Sequence, residues 1–307
     1  MTLRSRMWIA VGMTVASAIP AAAQVTPPPD GGPAWASVQQ ALGGRGTMQP
    51  GDVLRFGFPR TDLTVVADGV TLKPTLALGS WVAFKRMDAA GATMVMGDLV
   101  LTEDEVSSVM LRLQQNGVEQ TALHQHVLRE SPRVLYMHID AHGDAAKIAS
   151  AIRLALGASK TPLTAPTAPA MAPQAAFELD TAAIARMLGV AGRVNGGVYQ
   201  VNAARAERIM AHGMEVPPAM GVATVMNFQP TGGGKAAITG DFVMTAAEVN
   251  PVMRALREHG IEVTALHSHM LDESPRLFFM HFWANANATT LAKGLRAALD
   301  LTARSTK

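Results

Sequence analysis

Six histidines carry the first chemical signal in this sequence. Residues 121–138 read TALHQHVLRESPRVLYMH, and residues 264–281 read TALHSHMLDESPRLFFMH. Twelve of the eighteen positions are identical, and no gap is needed. The constant offset of 143 aligns His124, His126 and His138 with His267, His269 and His281. The chain has nine histidines, so this one pattern uses most of its imidazoles. A fold needs apolar periodicity at such positions, which makes repeated histidine a chemical question.

Spacing suggests an answer. On a strand, His124 and His126 project to the same face, ~6.5–7 Å apart. The chain returns through Glu130-Ser131-Pro132. With Ser131 at the middle of that turn, His124 faces His138 and His126 faces Tyr136. Opposed side chains lie about 4.5–5.5 Å apart, so three imidazoles meet on one patch. Three neutral imidazoles plus water form a catalytic-type zinc set, and imidazole also suits copper, nickel and iron. The expectation is a three-histidine metal site in each repeat, made by His124, His126 and His138 and by His267, His269 and His281, with zinc or copper as the ion. It depends on register, since a slip of one residue sends His138 to the other face. Two other readings stay open: a hydrogen-bonded structural cluster, and a metal-free cleft for a glycan, peptide or protein partner. Whether the repeats form separate sites or one shared site is also open.

Glu130 and Glu273, in the turns, are candidates for a fourth ligand or a general base, and Asp98 and Asp241 on the preceding strand are further candidates. The competing role for Glu130 and Glu273 is to fix the turn by pairing with Arg133 and Arg276. Enzymatic activity stays an open question. The segment Gly232-Gly233-Gly234-Lys235 is followed by Ala236 and lacks the first glycine of a P-loop, so it is a hairpin loop. Gly79-Ser80-Trp81 lacks the nucleophile-elbow pattern. His142, His212 and His259 have no repeated counterpart and read as surface residues.

The elements that would hold these residues repeat as well. Repeat one opens with a helix near Trp35–Leu42, closed by Gly43-Gly44. Strand-like runs follow at Val53–Phe58, Leu63–Ala67, Val70–Pro74 and Trp81–Arg86, with Asp68-Gly69 as a two-residue hairpin turn. A turn at Asp88–Gly91 leads into a strand at Thr93–Leu101. Thr102 and Glu105 then form a capping box for a helix with Val106, Val109, Met110 and Leu113 on one face, ending at Asn116-Gly117. The histidine hairpin reads as strand 118–128, turn 129–132 and strand 133–140, its other face carrying Leu123, Val127, Leu135, Met137 and Ile139 towards the helices. A helix from Ala145 to Leu156 completes the repeat. Repeat two has a helix at Thr181–Leu188, a capping box at Thr245/Glu248, Gly240-Asp241 in place of Gly97-Asp98, and a final helix over 288–299. The fold class is α+β: two homologous repeats, each a mainly antiparallel sheet with helices on one face, related by a pseudo-twofold.

Composition bounds the setting. With 307 residues, 49% of them hydrophobic, the chain can bury a large core. Arg4 and Arg6, an apolar run from Met7 to Ile19, and Ala21 and Ala23 make a secretory signal peptide over residues 1–23. Thirteen apolar residues are too few to span a bilayer, which needs about twenty. Cleavage would leave 24 basic and 24 acidic residues, and no basic stripe points to nucleic acid. Cysteine is absent, which excludes disulfides, thiolate chemistry and a lipid-bearing cysteine. The boundaries read as a disordered lead-in at 24–33, repeat domain 1 at 34–157, a Pro/Ala-rich linker at 158–177 and repeat domain 2 at 178–302. Each repeat is expected to form its own core. The location is periplasmic or secreted, with no membrane span in the mature protein.

The phrases MVMGDLVLTEDEV, TALHQHVLRESPRVLYMH and ALGSWVAF resemble the LppY/LpqO family, a bacterial envelope domain of unknown function. The likeness covers nearly the whole mature chain, and the histidine hairpin is its most specific part. It implies an exported, duplicated-domain protein and brings no activity or substrate with it. Family members that look like lipoproteins differ from this chain, which has no cysteine.

Overall fold

The computed structural model describes residues 31–87, 92–163 and 177–305. The expected signal peptide, most of the lead-in, the Asp88–Gly91 turn and the centre of the linker lie outside the described residues.

Repeat one supplies helices α1 (Ala36–Leu42), α2 (Val106–Gln115) and α3 (Ala145–Leu156). Its main strands are β1 (Thr47–Gln49), β2 (Val53–Pro59), β3 (Gly79–Arg86), β4 (Ala92–Thr102), β5 (Glu119–His124) and β6 (Val134–Asp144). Repeat two matches them with helices α4 (Thr181–Leu188), α5 (Ala246–Glu258) and α6 (Ala288–Leu299). Its strands are β7 (Gly192–Asn195), β8 (Val198–Ala204), β9 (Ala223–Gly232), β10 (Lys235–Met244), β11 (Glu262–His267) and β12 (Phe278–Asn287). Each set forms a six-stranded sheet, in the orders β1-β2-β3-β4-β6-β5 and β7-β8-β9-β10-β12-β11, with antiparallel pairing throughout.

Local chemistry explains where the elements start and stop. Asp144 caps α3 by accepting from Lys147 N at 2.9 Å, and Asn287 caps α6 by accepting from Thr289 N and Thr290 N. Gly43 and Gly189 close α1 and α4 in the left-handed conformation. The capping box is complete at Thr245/Glu248. At Thr102/Glu105 it is half made: Glu105 accepts from Thr102 N, while the Thr102 hydroxyl turns to Asp104 and the helix begins only at Val106. Both box glutamates also hold a buried arginine, Arg60 on Glu105 at 2.7 Å and Arg205 on Glu248 at 2.8 Å. Each guanidinium thereby ties a helix start to the loop after a strand.

Strand alternation divides the core into four parts. Val95, Leu99 and Leu101 of β4 and Met137 and Ile139 of β6 pack on Val109, Leu113, Ile148 and Ile152 of the repeat-one helices. Ile238, Phe242, Met280 and Phe282 do the same with Val252, Leu256, Leu291 and Leu295 in repeat two. These cores are private to each repeat, as expected. The opposite sheet faces meet each other. Met94 and Met96 join Val243, Phe279 and Met220 across the boundary, while Val100 and Tyr136 join Val198, Ala237 and Trp283. The layers therefore run helix, sheet, sheet, helix, and both central strands are buried on both faces.

Three expectations need correction. The runs at Leu63–Ala67 and Val70–Pro74 shrink to a hairpin of Val66–Ala67 with Val70–Thr71, whose first strand also pairs with Glu130–Ser131. Its Asp68-Gly69 turn holds, with φ of 45° and 78°. The first strand of the histidine hairpin ends at His124 rather than 128. Val127 consequently joins the inter-repeat cluster instead of the helix side, and Leu123, on a strand at the sheet edge, is exposed.

Candidate metal centre

The hairpin register differs from the expected one. Ala122 lies opposite His138 and His124 opposite Tyr136, two residues from the expected pairing, with a bulge further on between Gln120 and Ala122. Repeat two carries the same bulge, with Ala265 opposite His281 and His267 opposite Phe279. A displacement of two residues keeps the histidines on the same face, since side chains alternate with period two. His138 and His281 lie in the middle of β6 and β12, on the face that meets the other repeat, directly beside Asp98 on β4 and Asp241 on β10. Gly97 and Gly240 precede these aspartates because a Cβ there would meet the Trp81 carbonyl at 2.7 Å and the Val225 carbonyl at 1.9 Å.

All six imidazoles meet between the sheets. His124 and His267 stack on one another, ring centroids 3.7 Å apart, at the pseudo-twofold axis. To either side, His126 stacks on His281 at 3.7 Å, and His269 on His138 at 3.9 Å. The outer walls are Tyr136 on His126 at 3.3 Å and Phe279 on His269 at 3.5 Å. Two threonines clasp the halves: Thr121 donates to the His269 carbonyl, and Thr264 to the His126 carbonyl. These are the leading residues of the duplicated segment, so the sequence held them in view without a role.

Both histidine-only trios whose ligand atoms lie within 4.8 Å of one another draw on both repeats: His124, His126 and His281, and His124, His138 and His267. A third group joins His267 and His269 to Asp241. Both histidine-only trios thus cross the axis, while the Asp241 group lies within repeat two; among the described residues, no three-histidine group is closed within one repeat.

The tautomers follow from the neighbours. His281 Nδ1–H donates to the Gly240 carbonyl at 2.7 Å, and His269 Nδ1–H donates to the Gly221 carbonyl at 3.0 Å. Each is left with a bare Nε2 facing inwards. His281 Nε2 lies 3.1 Å from His124 Nε2, and His269 Nε2 lies 3.0 Å from Asp241 Oδ2. A ring lone pair facing a carboxylate oxygen needs a proton or a cation. Two ligands on one ion with bonds of ~2.1 Å, at right angles, lie about 3.0 Å apart. Buried nitrogens of His124, His126, His138 and both nitrogens of His267 have no hydrogen-bond partner. Orphaned polar atoms at this depth call for an explanation.

Burial, first of all, holds five of the histidines neutral. It takes His124 down to about 2, with the His281 and His269 rings adding to the shift, and it pulls His126, His138, His267 and His281 in the same direction. Burial also pushes the Asp98 carboxyl up to about 8, helped by the charge of Asp241 and opposed by Arg55. Arg55 is itself half-buried, stacked over Trp81 and donating to the Ala219 carbonyl. Nothing in the sequence marked Arg55, Trp81 or the Gly221 carbonyl as part of this neighbourhood, because each comes from a distant element.

Glu130 and Glu273 stand outside the converging groups. Glu273 accepts from Leu277 N and pairs with Arg276 at 3.2 Å, which fixes the turn. Glu130 accepts from Val134 N, with no ion pair to Arg133 among the described contacts, and burial raises its carboxyl to about 7. Both therefore brace the hairpin.

The sequence model of a family described as Domain of Unknown Function (DUF1259) matches residues 36–158 and again residues 182–301. No curated protein matches the chain. Among solved structures, the trimeric bacterial microcompartment shell protein PduB is 14% identical, covering 83% of this chain and 89% of its own, with a TM-score of 0.21. EtuB from Clostridium kluyveri is 11% identical, covering 83% and 90%, with a TM-score of 0.20. Likeness at that level carries no argument about this chain.

Proposed function

The chain belongs to the family described as Domain of Unknown Function (DUF1259), carried twice, and from that premise we propose that it is an exported protein holding a divalent transition metal between its repeats. One observation carries the reading: six imidazoles meet in a buried space with ring nitrogens that no protein group among the described residues satisfies. Outer nitrogens of His269 and His281 are held by backbone carbonyls, the support that metal-ligating histidines ordinarily have. Neutral imidazole donors suit zinc or copper, and Asp241 adds one carboxylate.

A metal-free module for a glycan, peptide or protein has less support, since the rings stack on one another and the opposite sheet covers the face. Export and the LppY/LpqO likeness rest on the sequence alone. Among the described residues, no helix is long and apolar enough to cross a membrane. N-terminal sequencing of the envelope fraction should find Gln24 first.

The decisive measurement is elemental analysis of untagged protein. His124 stands in both histidine-only trios, so His124→Ala, made in an Asp241→Asn background that disables the third group, should remove the metal of the whole centre, from both repeats at once. A loss confined to one half would restore separate sites. Protein that never holds metal above background would leave the metal-free module in its place.

A further inference from the structure

A second set of potential ligands lies away from the six-histidine centre, on strand β6 and a hairpin tip of the other repeat. His142 Nδ1 is 3.2 Å from Asp140 Oδ1, and the His212 ring lies 3.8 Å from that of His142. The ligand atoms of these three residues all fall within 4.8 Å of one another. Asp140 is buried, while both histidines reach solvent.

The pseudo-twofold gives this corner a built-in control. The His212-Gly213 turn, with φ of 50° and 77°, matches the Asp68-Gly69 turn, with φ of 45° and 78°. At the Asp68 corner the charges are complete. Arg129 bridges Asp68 at 3.1 Å and Glu262 at 2.6 Å, and Trp283 donates to Asp68 at 2.9 Å. Shifted by the repeat offset of 143, the positions of Arg129, Glu262 and Trp283 correspond to Asp272, Glu119 and Asp140. The cation has become a carboxylate, and so has the tryptophan. Burial raises the Asp140 carboxyl to about 6, opposed by His212, with Glu119 and Asp272 adding to the rise. The second corner thus gathers three carboxylates and two imidazoles where the first has an arginine. Left-handed backbone is uncommon for a residue other than glycine, though histidine is among the types enriched there, and at this turn the His212 ring lies against His142 of strand β6.

We infer that Asp140, His142 and His212 form a second divalent transition-metal site, in which the ion takes the place that Arg129 occupies at the matching corner and pins the repeat-two hairpin to repeat one. Two imidazoles and one carboxylate are a donor set that zinc accepts with a position left for water. The exposed histidines make this ion exchangeable, unlike one enclosed between the sheets. The inference stands independently of the buried centre.

The test is calorimetric titration of Zn²⁺ into the untagged full chain, compared with His212→Asn and His142→Ala. Asparagine tolerates the left-handed turn, so His212→Asn removes the ligand while keeping the hairpin. Wild type should bind one equivalent more than either variant, and zinc should raise its melting temperature by more. His138→Ala, in the buried centre, should leave that equivalent in place. Equal zinc stoichiometry in wild type, His212→Asn and His142→Ala would overturn the inference, whatever the buried centre binds.

Discussion

The two ends of the histidine centre carry the same ligands in different surroundings. At the repeat-two end, His269 lies 3.0 Å from Asp241, is held by the Gly221 carbonyl, and stacks on Phe279. At the repeat-one end, His126 lies 3.6 Å from Asp98 and stacks on Tyr136, whose buried hydroxyl has no partner. A half-buried arginine, Arg55, acts on Asp98. Duplication has kept the imidazoles and varied what orients them. One end is apolar and tightly braced; the other is looser and holds an unsatisfied hydroxyl.

Acid should show the largest effect, because the histidines of both ends act together while Asp98 belongs to one. Histidines held below their unfolded value of 6.5 contribute stability that is full above about pH 6.5. Each loses it as pH falls towards its folded value, near 2 for His124, at about 1.4 kcal/mol per pH unit. Asp98, raised to about 8, works the other way, as do Glu130, raised to about 7, and Asp140, raised to about 6: each gains stability as pH falls below its folded value, offsetting part of the histidines' slope. Metal-free protein should therefore unfold steeply below pH 6, seen as a falling denaturant midpoint. A flat midpoint between pH 7 and 4 would mean the rings are not buried as described.

Next comes the packing beside each aspartate. A Cβ on Gly240 would sit 1.9 Å from the Val225 carbonyl, against 2.7 Å from the Trp81 carbonyl for Gly97. Gly240→Ala should cost about 3 kcal/mol or more and Gly97→Ala about 1–2 kcal/mol. Chemical denaturation of the two variants decides it, and a reversed order would show that repeat one is the tighter end.

Smallest is the change that makes the ends alike. Tyr136→Phe removes the unpartnered hydroxyl and should stabilise metal-free protein by about 1 kcal/mol, with metal content unchanged. Loss of metal in this variant would show that the hydroxyl serves the centre.

Much of the scaffold was legible one segment at a time. Caps such as Asp144 and the Thr245/Glu248 box, and the apolar spacing of Val106, Val109 and Leu113, act over three or four residues, so neighbouring sequence contains the whole cause. The duplicated histidines announced the site for the same reason: the offset is visible without any fold. Their one-face alternation was legible too, but the residue opposite each one was not. The first strand ends at His124, and the longer connection moves the partner of His138 by two residues, from His124 to Ala122; nothing local distinguishes the two registers.

The sequence by itself determined which residues have metal-ligating chemistry, that they come twice, and which helices and strands carry them. Only the tertiary structure decided that His281 reaches His124 and His126, that Asp68 and His212 sit at matching corners, and that Trp81 and Arg55 flank one end. Those meetings depend on burying one sheet against the other. That burial is summed over many residues far apart in the chain, and no segment records it alone.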